Sequence, residues 1–172
     1  MTHKRLEKIR LLLLDVDGVL TDGSITYTHS GEEIKTFNAK DGFGIKLLMS
    51  AGVKVGIITG RKSNALTSRC HDLGIDLIFD GIKNKINALE VILKQTKTSY
   101  DETAFAGDDL PDLPVMKKVG VSITVSDASC DVIKEADIII SLKGGHGAVR
   151  QICEDILKAK GLWKNTIAQF LP

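Results

Sequence analysis

Apolar residues along this chain gather in short unbroken runs. Leu11-Leu12-Leu13-Leu14 closes on Asp15, which suits a strand buried on both faces rather than a helix. Similar runs, mostly apolar and rich in β-branched residues, recur at Val53 to Ile58, Ile75 to Phe79, Thr103 to Ala106, Val121 to Val125 and Ile138 to Ile140. Between them lie helix-length stretches at about 42–51, 62–73, 84–96, 112–118, 129–135 and 147–160. Several are closed by a glycine such as Gly52, Gly74 or Gly161, a common helix terminator. Strand and helix alternate throughout, which predicts an α/β fold: a doubly wound, Rossmann-like parallel sheet with helices on both faces.

One segment breaks the alternation. Ser24 to Thr28 and Glu32 to Phe37 flank His29-Ser30-Gly31, the pattern of a β-hairpin with a Ser-Gly turn. Placed directly after the first strand, it would form a flap over the carboxyl edge of the sheet, where ligands bind in such folds.

A chain of 172 residues with 43% hydrophobic content fits one domain, 1–172, around one core. Its 23 basic and 22 acidic residues give a net charge of +1, so no electrostatic footprint marks a nucleic acid or an anionic membrane as partner. Met1 to Arg10 lacks the apolar stretch of a signal peptide and Leu11 to Leu14 is far too short to span a bilayer, which leads us to expect a cytoplasmic protein acting on a small molecule. Cys70, Cys130 and Cys153 are odd in number and set in apolar or helical patterns; buried free thiols are expected.

The predicted strand ends carry the chemistry. Leu14 leads into Asp15, Ile58 into Thr59, and Ala106-Gly107 into Asp108-Asp109. Strand ends converge on the ligand crevice of an open α/β sheet, so Asp15, Asp17, Asp108, Asp109 and Asp112 would crowd a small volume. Carboxylates so close raise one another's pKa unless a cation neutralises them, and a hard, oxygen-liganded ion such as Mg2+ suits them. No paired His or Cys nearby argues for zinc. Lys85, at the start of a predicted helix, and Arg61, after Thr59-Gly60, add positive charge at the same edge. A hydroxyl, a lysine, several carboxylates and a metal suit phosphoryl transfer, which runs on positioning and charge neutralisation.

Asp15-Val16-Asp17-Gly18-Val19-Leu20-Thr21-Asp22 resembles the first motif of the haloacid dehalogenase superfamily of phosphatases. Thr59 in Ile58-Thr59-Gly60-Arg61 resembles the second, Lys85 the third, and Gly107-Asp108-Asp109-Leu110-Pro111-Asp112 the fourth, in the same order. The resemblance makes Asp15 the nucleophile that forms an aspartyl-phosphate and Asp17 the general acid and base. It implies Mg2+ held by Asp15, the Asp17 backbone carbonyl and Asp108, with the phosphoryl group gripped by Thr59 and Lys85. Asp109 and Asp112 are implied to support the site, the former from behind the metal's ligands or as a weak ligand itself, the latter by fixing Lys85 or metal-bound waters.

About 40 residues separate Asp17 from Thr59 and about 25 separate Thr59 from Lys85, which leaves no room for a cap domain. Capless members with this hairpin resemble phosphatases of eight- and nine-carbon sugar-acid phosphates, in which tetramers let one subunit cover its neighbour's site. The eight-carbon acid is the expected substrate, with N-acylneuraminate or 2-keto-3-deoxy-nonulosonate 9-phosphate as alternatives. The chain departs from the pattern at His146, where the family often has Arg, and at Asp80, where it commonly has Gln. A sugar carboxylate calls for a second cationic group, and Arg61 and Arg69 are the candidates. The apolar tail 162–172, with Trp163, Phe170 and Leu171, is expected in a subunit interface of a homotetramer.

Other readings compete with these. Asp22, Asp72, Asp101 and Asp127 fit turn or cap positions. His29 and His146 sit in exposed loops where either substrate contact or none would do. Gly144-Gly145-His146-Gly147 is an anion cradle at a helix start or a plain turn. A receiver-like phospho-acceptor domain also joins Asp, Thr and Lys at strand ends, but it would carry the phosphorylated Asp on its third strand. Here that strand ends at Phe79-Asp80-Gly81 without the accompanying pattern.

Overall fold

The computed structural model describes residues 2–171. The chain runs α1 (Thr2–Leu6), β1 (Leu11–Leu14), β2 (Thr26–Tyr27), β3 (Glu33–Ile34), α2 (Ala39–Ser50), β4 (Lys54–Ile58), α3 (Asn64–Leu73), β5 (Leu77–Phe79), α4 (Lys85–Thr96), β6 (Thr103–Ala106), α5 (Leu113–Met116), β7 (Val121–Thr124), α6 (Cys130–Glu135), β8 (Ile138–Ile139), α7 (Ala148–Ala159) and α8 (Trp163–Ala168). A six-stranded sheet in the order β5-β4-β1-β6-β7-β8 is parallel throughout. The chain winds outward from β1 to one edge, returns to β6 and winds to the other. The β1/β6 boundary is therefore the switch point where an open sheet leaves a crevice at its carboxyl edge.

The four leucines of β1 are wholly buried because their side chains alternate between two cores. Leu12 and Leu14 join the core under α2 and α7, while Leu11 and Leu13 join the one under α4. β6 divides in the same way, Ala104 and Ala106 to the first and Phe105 to the second. Each fully buried leucine contributes about 1.5–3 kcal/mol, so this strand anchors whatever follows it. On the first face α2 and α7 pack closely: a side chain at Gly44 would meet the Arg150 backbone at 3.0 Å.

The expected elements form, with differences at the margins. The hairpin contracts to two ladder positions per strand, Thr26 with Ile34 and Tyr27 with Glu33, because it stands off the main sheet with no third strand beside it. α8 is an additional helix inside the predicted apolar tail. Trp163 packs against the core, so it is not left over. Phe170 and Leu171 are exposed, although Phe170 meets Phe43 edge to face at 5.6 Å; Pro172 lies outside the described residues. Cys70 and Cys153 are buried as expected, and burial pushes the Cys70 thiol up to about 11. Cys130 corrects the expectation, since it is exposed: it opens the short α6, whose core contact is made by Val132 instead. Among the described residues, no helix is long and apolar enough to cross a membrane.

Candidate active site

A cleft of about 360 Å³ opens at the switch point, lined by Asp15, Asp17, Thr59, Arg61, Lys85, Asp108, Asp109 and Asp112 among others. Its floor is an extension of the sheet. The Asp15 N–H still donates to the Ala106 carbonyl at 2.9 Å, and the Thr59 N–H to that of Phe79 at 2.9 Å. Past Asp15 the chain turns sharply, with the Val16 carbonyl accepting from Val19, Leu20 and Thr21. Gly18 sits in that turn at φ +82, and a side chain there would run into the Asp108 carboxylate. Glycine is thus required twice over, for its conformation and for the approach of β6's acid.

The floor is short of positive charge. The Lys85 ammonium lies 2.9 Å from Asp15 Oδ2 and 2.6 Å from Asp112 Oδ1. Asp112 Oδ2 accepts from the backbone N–H groups of Asp108 at 2.9 Å and Asp109 at 3.3 Å, so both oxygens of Asp112 are occupied. Asp15 Oδ1 is buried without a hydrogen-bond partner. One oxygen from each of Asp15, Asp108 and Asp112 falls within 4.8 Å of the others. Burial, and then the Asp112 charge, push Asp15 up to about 6 against the pull of Lys85. Burial, followed by the charges of Asp15, Asp112 and Asp109, pushes Asp108 up to about 7. Burial works against the Lys85 ammonium, yet the two carboxylates hold its pKa above the usual lysine value. The residues fit Mg2+, which takes one or two carboxylates and keeps several waters: Asp15 Oδ1 and Asp108 are the oxygens still to be satisfied, and Asp112 is spent on Lys85 and the loop.

The rim is built differently. Asp17 Oδ1 pairs with Lys35, and Asp17 Oδ2 lies 3.6 Å from Arg61 Nε. Lys35 lies 3.1 Å from Glu33, and Arg61 Nη2 donates to Glu33 at 2.5 Å and to the Tyr27 hydroxyl at 3.1 Å. The Arg61 hydrogen bond, opposed by burial and helped by Lys35, pulls Glu33 down to about 2. Tyr27, Glu33 and Lys35 were not singled out from sequence. The available signal was the alternation of the hairpin strands, which turns residues 33 and 35 to one face. Arg61 lines the cleft. Arg69 does not: its guanidinium donates to the Asn38 carbonyl at 3.4 Å and lies over the Phe37 ring.

Most of the remaining candidates are held by local contacts within the chain. Asp109 caps the turn after β6 by accepting from Leu110 N–H at 2.8 Å. Asp22 accepts from Ser24 N–H and Asp127 from Gly144 N–H. The glycine loop before α7 does hold an anion at the helix start, and that anion is Asp41 of α2, which accepts from Gly147 N–H at 3.3 Å and Arg150 N–H at 2.7 Å. A side chain at Gly144 would collide with the Gly18 carbonyl, so this loop buttresses the turn after β1. His146 folds onto the same loop, with Nδ1 2.7 Å from the Gly144 carbonyl, and His29 is exposed at the hairpin tip.

Residues 75–152 match the model of the haloacid dehalogenase-like hydrolases. The 3-deoxy-D-manno-octulosonate 8-phosphate phosphatase of Escherichia coli K12 is 46% identical over 155 residues, 90% of this chain and 82% of the relative. Among solved structures, the Moraxella catarrhalis phosphatase of the same name, crystallised with magnesium, phosphate and KDO, superposes with a TM-score of 0.95 at 38% identity, covering 98% of this chain and 97% of that one. The cobalt-bound Haemophilus influenzae enzyme gives a TM-score of 0.90 at 43% identity, covering 92% and 93%. With the switch-point cleft, the four motifs gathered around it and no cap, the chain belongs to the haloacid dehalogenase-like hydrolase family, on its capless phosphatase branch.

Proposed function

We propose that this protein hydrolyses 3-deoxy-D-manno-octulosonate 8-phosphate to the sugar acid and inorganic phosphate, through an aspartyl-phosphate on Asp15 and with Mg2+ as cofactor. One observation carries the reading: in a cleft at the switch point, Lys85 fixes one oxygen of Asp15 at 2.9 Å while the other is buried and unpartnered. A carboxylate clamped in that way is oriented for attack on phosphorus. The names of relatives such as the Escherichia coli and Moraxella catarrhalis enzymes support the eight-carbon acid as substrate.

Mg2+ would be held by Asp15, the Asp17 backbone carbonyl and Asp108, and when bound it offsets the negative charge of the phosphoryl oxygens. Asp15 attacks phosphorus as the ester P–O bond breaks, and Asp17 gives its proton to the departing alkoxide. Asp17 then takes a proton from water, which attacks the aspartyl-phosphate, releases phosphate and restores the Asp15 carboxylate. Thr59 and Lys85 bind phosphoryl oxygens, and Asp112 holds Lys85 in place. Arg61 and Arg69 receive the sugar carboxylate, Arg61 from the cleft rim and Arg69 from α3, beyond this subunit's cleft. The active form is a cytoplasmic homotetramer of a single-domain chain, with residues 162–172 at a subunit contact; the exposed Phe170 and Leu171 support that placement.

Phosphate release from a panel of eight- and nine-carbon sugar-acid phosphates and hexose phosphates, with Mg2+ present, tests the substrate. The octulosonate ester should turn over fastest; equal rates across the panel would refute the specificity. Solution mass tests the tetramer, and a stable monomer would count against it.

A further inference from the structure

Four charges close a ring at the cleft rim: Asp17 faces Lys35 and Arg61, and Glu33 faces the same two cations. Asp17 and Arg61 come from the loops after β1 and β4, while Glu33 and Lys35 come from the hairpin. The members are unequally free. The Lys35 side chain is 2% exposed against 40% for Arg61, so Lys35 cannot exchange its partners for water, whereas Arg61 turns only its Nε to Asp17, 3.6 Å away and buried without a hydrogen bond. A buried ammonium between two carboxylates is held by them and holds them, because removing it leaves two like charges uncompensated.

The geometry points to Lys35 as a positioning residue for Asp17: it donates to Oδ1 and leaves Oδ2 to carry the proton for the leaving oxygen. This rests on the acid role of Asp17 given above. A general acid works only within hydrogen-bond reach of the atom it protonates. An aspartate in a turn, lined on one side by solvent, rotates out of reach unless something pins it. Arg61 is poorly suited, since its Nη2 is committed to Glu33 and Tyr27. Lys35 meets no carboxylate of the floor, so its effect on the reaction passes through Asp17.

The test compares two esters in kcat/KM, which reports the step in which the ester bond breaks. The sugar-acid phosphate has a poor alkoxide leaving group that needs a proton, and p-nitrophenyl phosphate has a leaving group that departs without one. Lys35→Met should lower kcat/KM for the sugar-acid ester by about tenfold to a hundredfold, part of the roughly 10²–10⁴ that a general acid supplies. The p-nitrophenyl ester should lose less than about threefold, which also reports an intact fold. Lys35→Arg, which keeps the charge, should restore the ratio of the two rates to near that of the wild type. Equal losses on both esters, or a ratio in Lys35→Arg as low as in Lys35→Met, would overturn the assignment. Lys35→Gln gives the same comparison if Lys35→Met does not fold. Asp17→Asn separates the two readings. If it shows no leaving-group dependence, the acid role of Asp17 fails; if it does and Lys35→Met does not, Lys35 alone is misassigned.

Discussion

The floor and the rim of the cleft are both made of carboxylates and cationic side chains, yet their charges are arranged to opposite effect. On the floor, Asp15, Asp108 and Asp112 face the single ammonium of Lys85. On the rim, Asp17 and Glu33 face Lys35 and Arg61 in a closed ring. The floor's imbalance shows in Asp15 and Asp108, whose pKa values rise to about 6 and about 7. The rim's balance shows in Glu33, which falls to about 2. A cluster short of positive charge is a place for a cation and a phosphoryl group, whereas a neutral ring is a scaffold that sets side-chain direction. Within one cleft, the unbalanced cluster suits a cation and a phosphoryl group, and the balanced ring directs side chains such as the proposed acid Asp17.

The contrast breaks most sharply at Asp15. Asp15→Asn removes the unpartnered oxygen and should cost at least about four orders of magnitude in Mg2+-dependent turnover, the scale seen when a covalent nucleophile is lost. Far-UV and near-UV circular dichroism should stay as in the wild type; retained turnover would end the mechanism.

Lys85→Met asks what the floor does without its one cation. Asp15 and Asp112 would face each other uncompensated in a site where the lysine side chain is 6% exposed. Breaking a buried ion pair from one side costs about 3–5 kcal/mol, so the metal-free variant should unfold in less urea than the wild type. An unchanged midpoint would show that the floor is more hydrated than its geometry indicates.

Metal and pH probe the same imbalance. Asp15 and Asp108 have folded pKa values above their unfolded value of 3.8, at about 6 and about 7. The folded state therefore favours their protonated forms, and metal-free protein gives up that stability as pH rises through 6 and 7. Mg2+ needs the ionised forms, so the rise in Tm on adding Mg2+ should grow across this window and fade below it. At a concentration of about 100 times Kd the gain is about 2.7 kcal/mol. A Tm increment flat from pH 5 to pH 8 would contradict the assignment of Asp15 and Asp108 as its ligands.

The floor was largely legible in the sequence and the rim was not, for a physical reason. Three floor residues follow buried strands, and the parallel sheet alone brings such ends together: Leu14 delivers Asp15, Ile58 delivers Thr59 and Ala106 delivers Gly107-Asp108, while Lys85 enters at the start of α4. The rim depends on where a hairpin lands after it leaves the sheet, which no periodicity encodes; Glu33 and Lys35 look like the polar face of any exposed hairpin. Asp41 escaped notice likewise, since an acid in the first turn of α2 is explained by its own helix, whereas its carboxylate serves the start of α7. The glycine loop at 144–147 signalled an anion without saying that the chain supplies it. Arg69 lies on α3, turned to Asn38 and Phe37 and not to its own chain's cleft, so its proposed contact with the sugar acid needs a neighbouring copy, which no motif spacing encodes.

The smallest effect should come from Tyr27, the neutral member of the rim. Its hydroxyl accepts one hydrogen bond from Arg61 at 3.1 Å and carries none of the ring's charge. Tyr27→Phe removes that acceptor and leaves both Arg61 contacts with carboxylates, so the loss should be near the net value of one exposed hydrogen bond, about 0.5–1.5 kcal/mol. If Arg61 receives the sugar carboxylate, this loss should fall on KM for the sugar-acid ester, as a rise of about two- to tenfold, with kcat and the p-nitrophenyl ester unchanged. A fall in kcat on both esters would mean that the rim responds as one unit, with Arg61 and Asp17 moving together through the ring. A kinetic change confined to KM would instead show that the ring has two separable ends, Lys35 holding the acid and Glu33 with Tyr27 aiming the guanidinium.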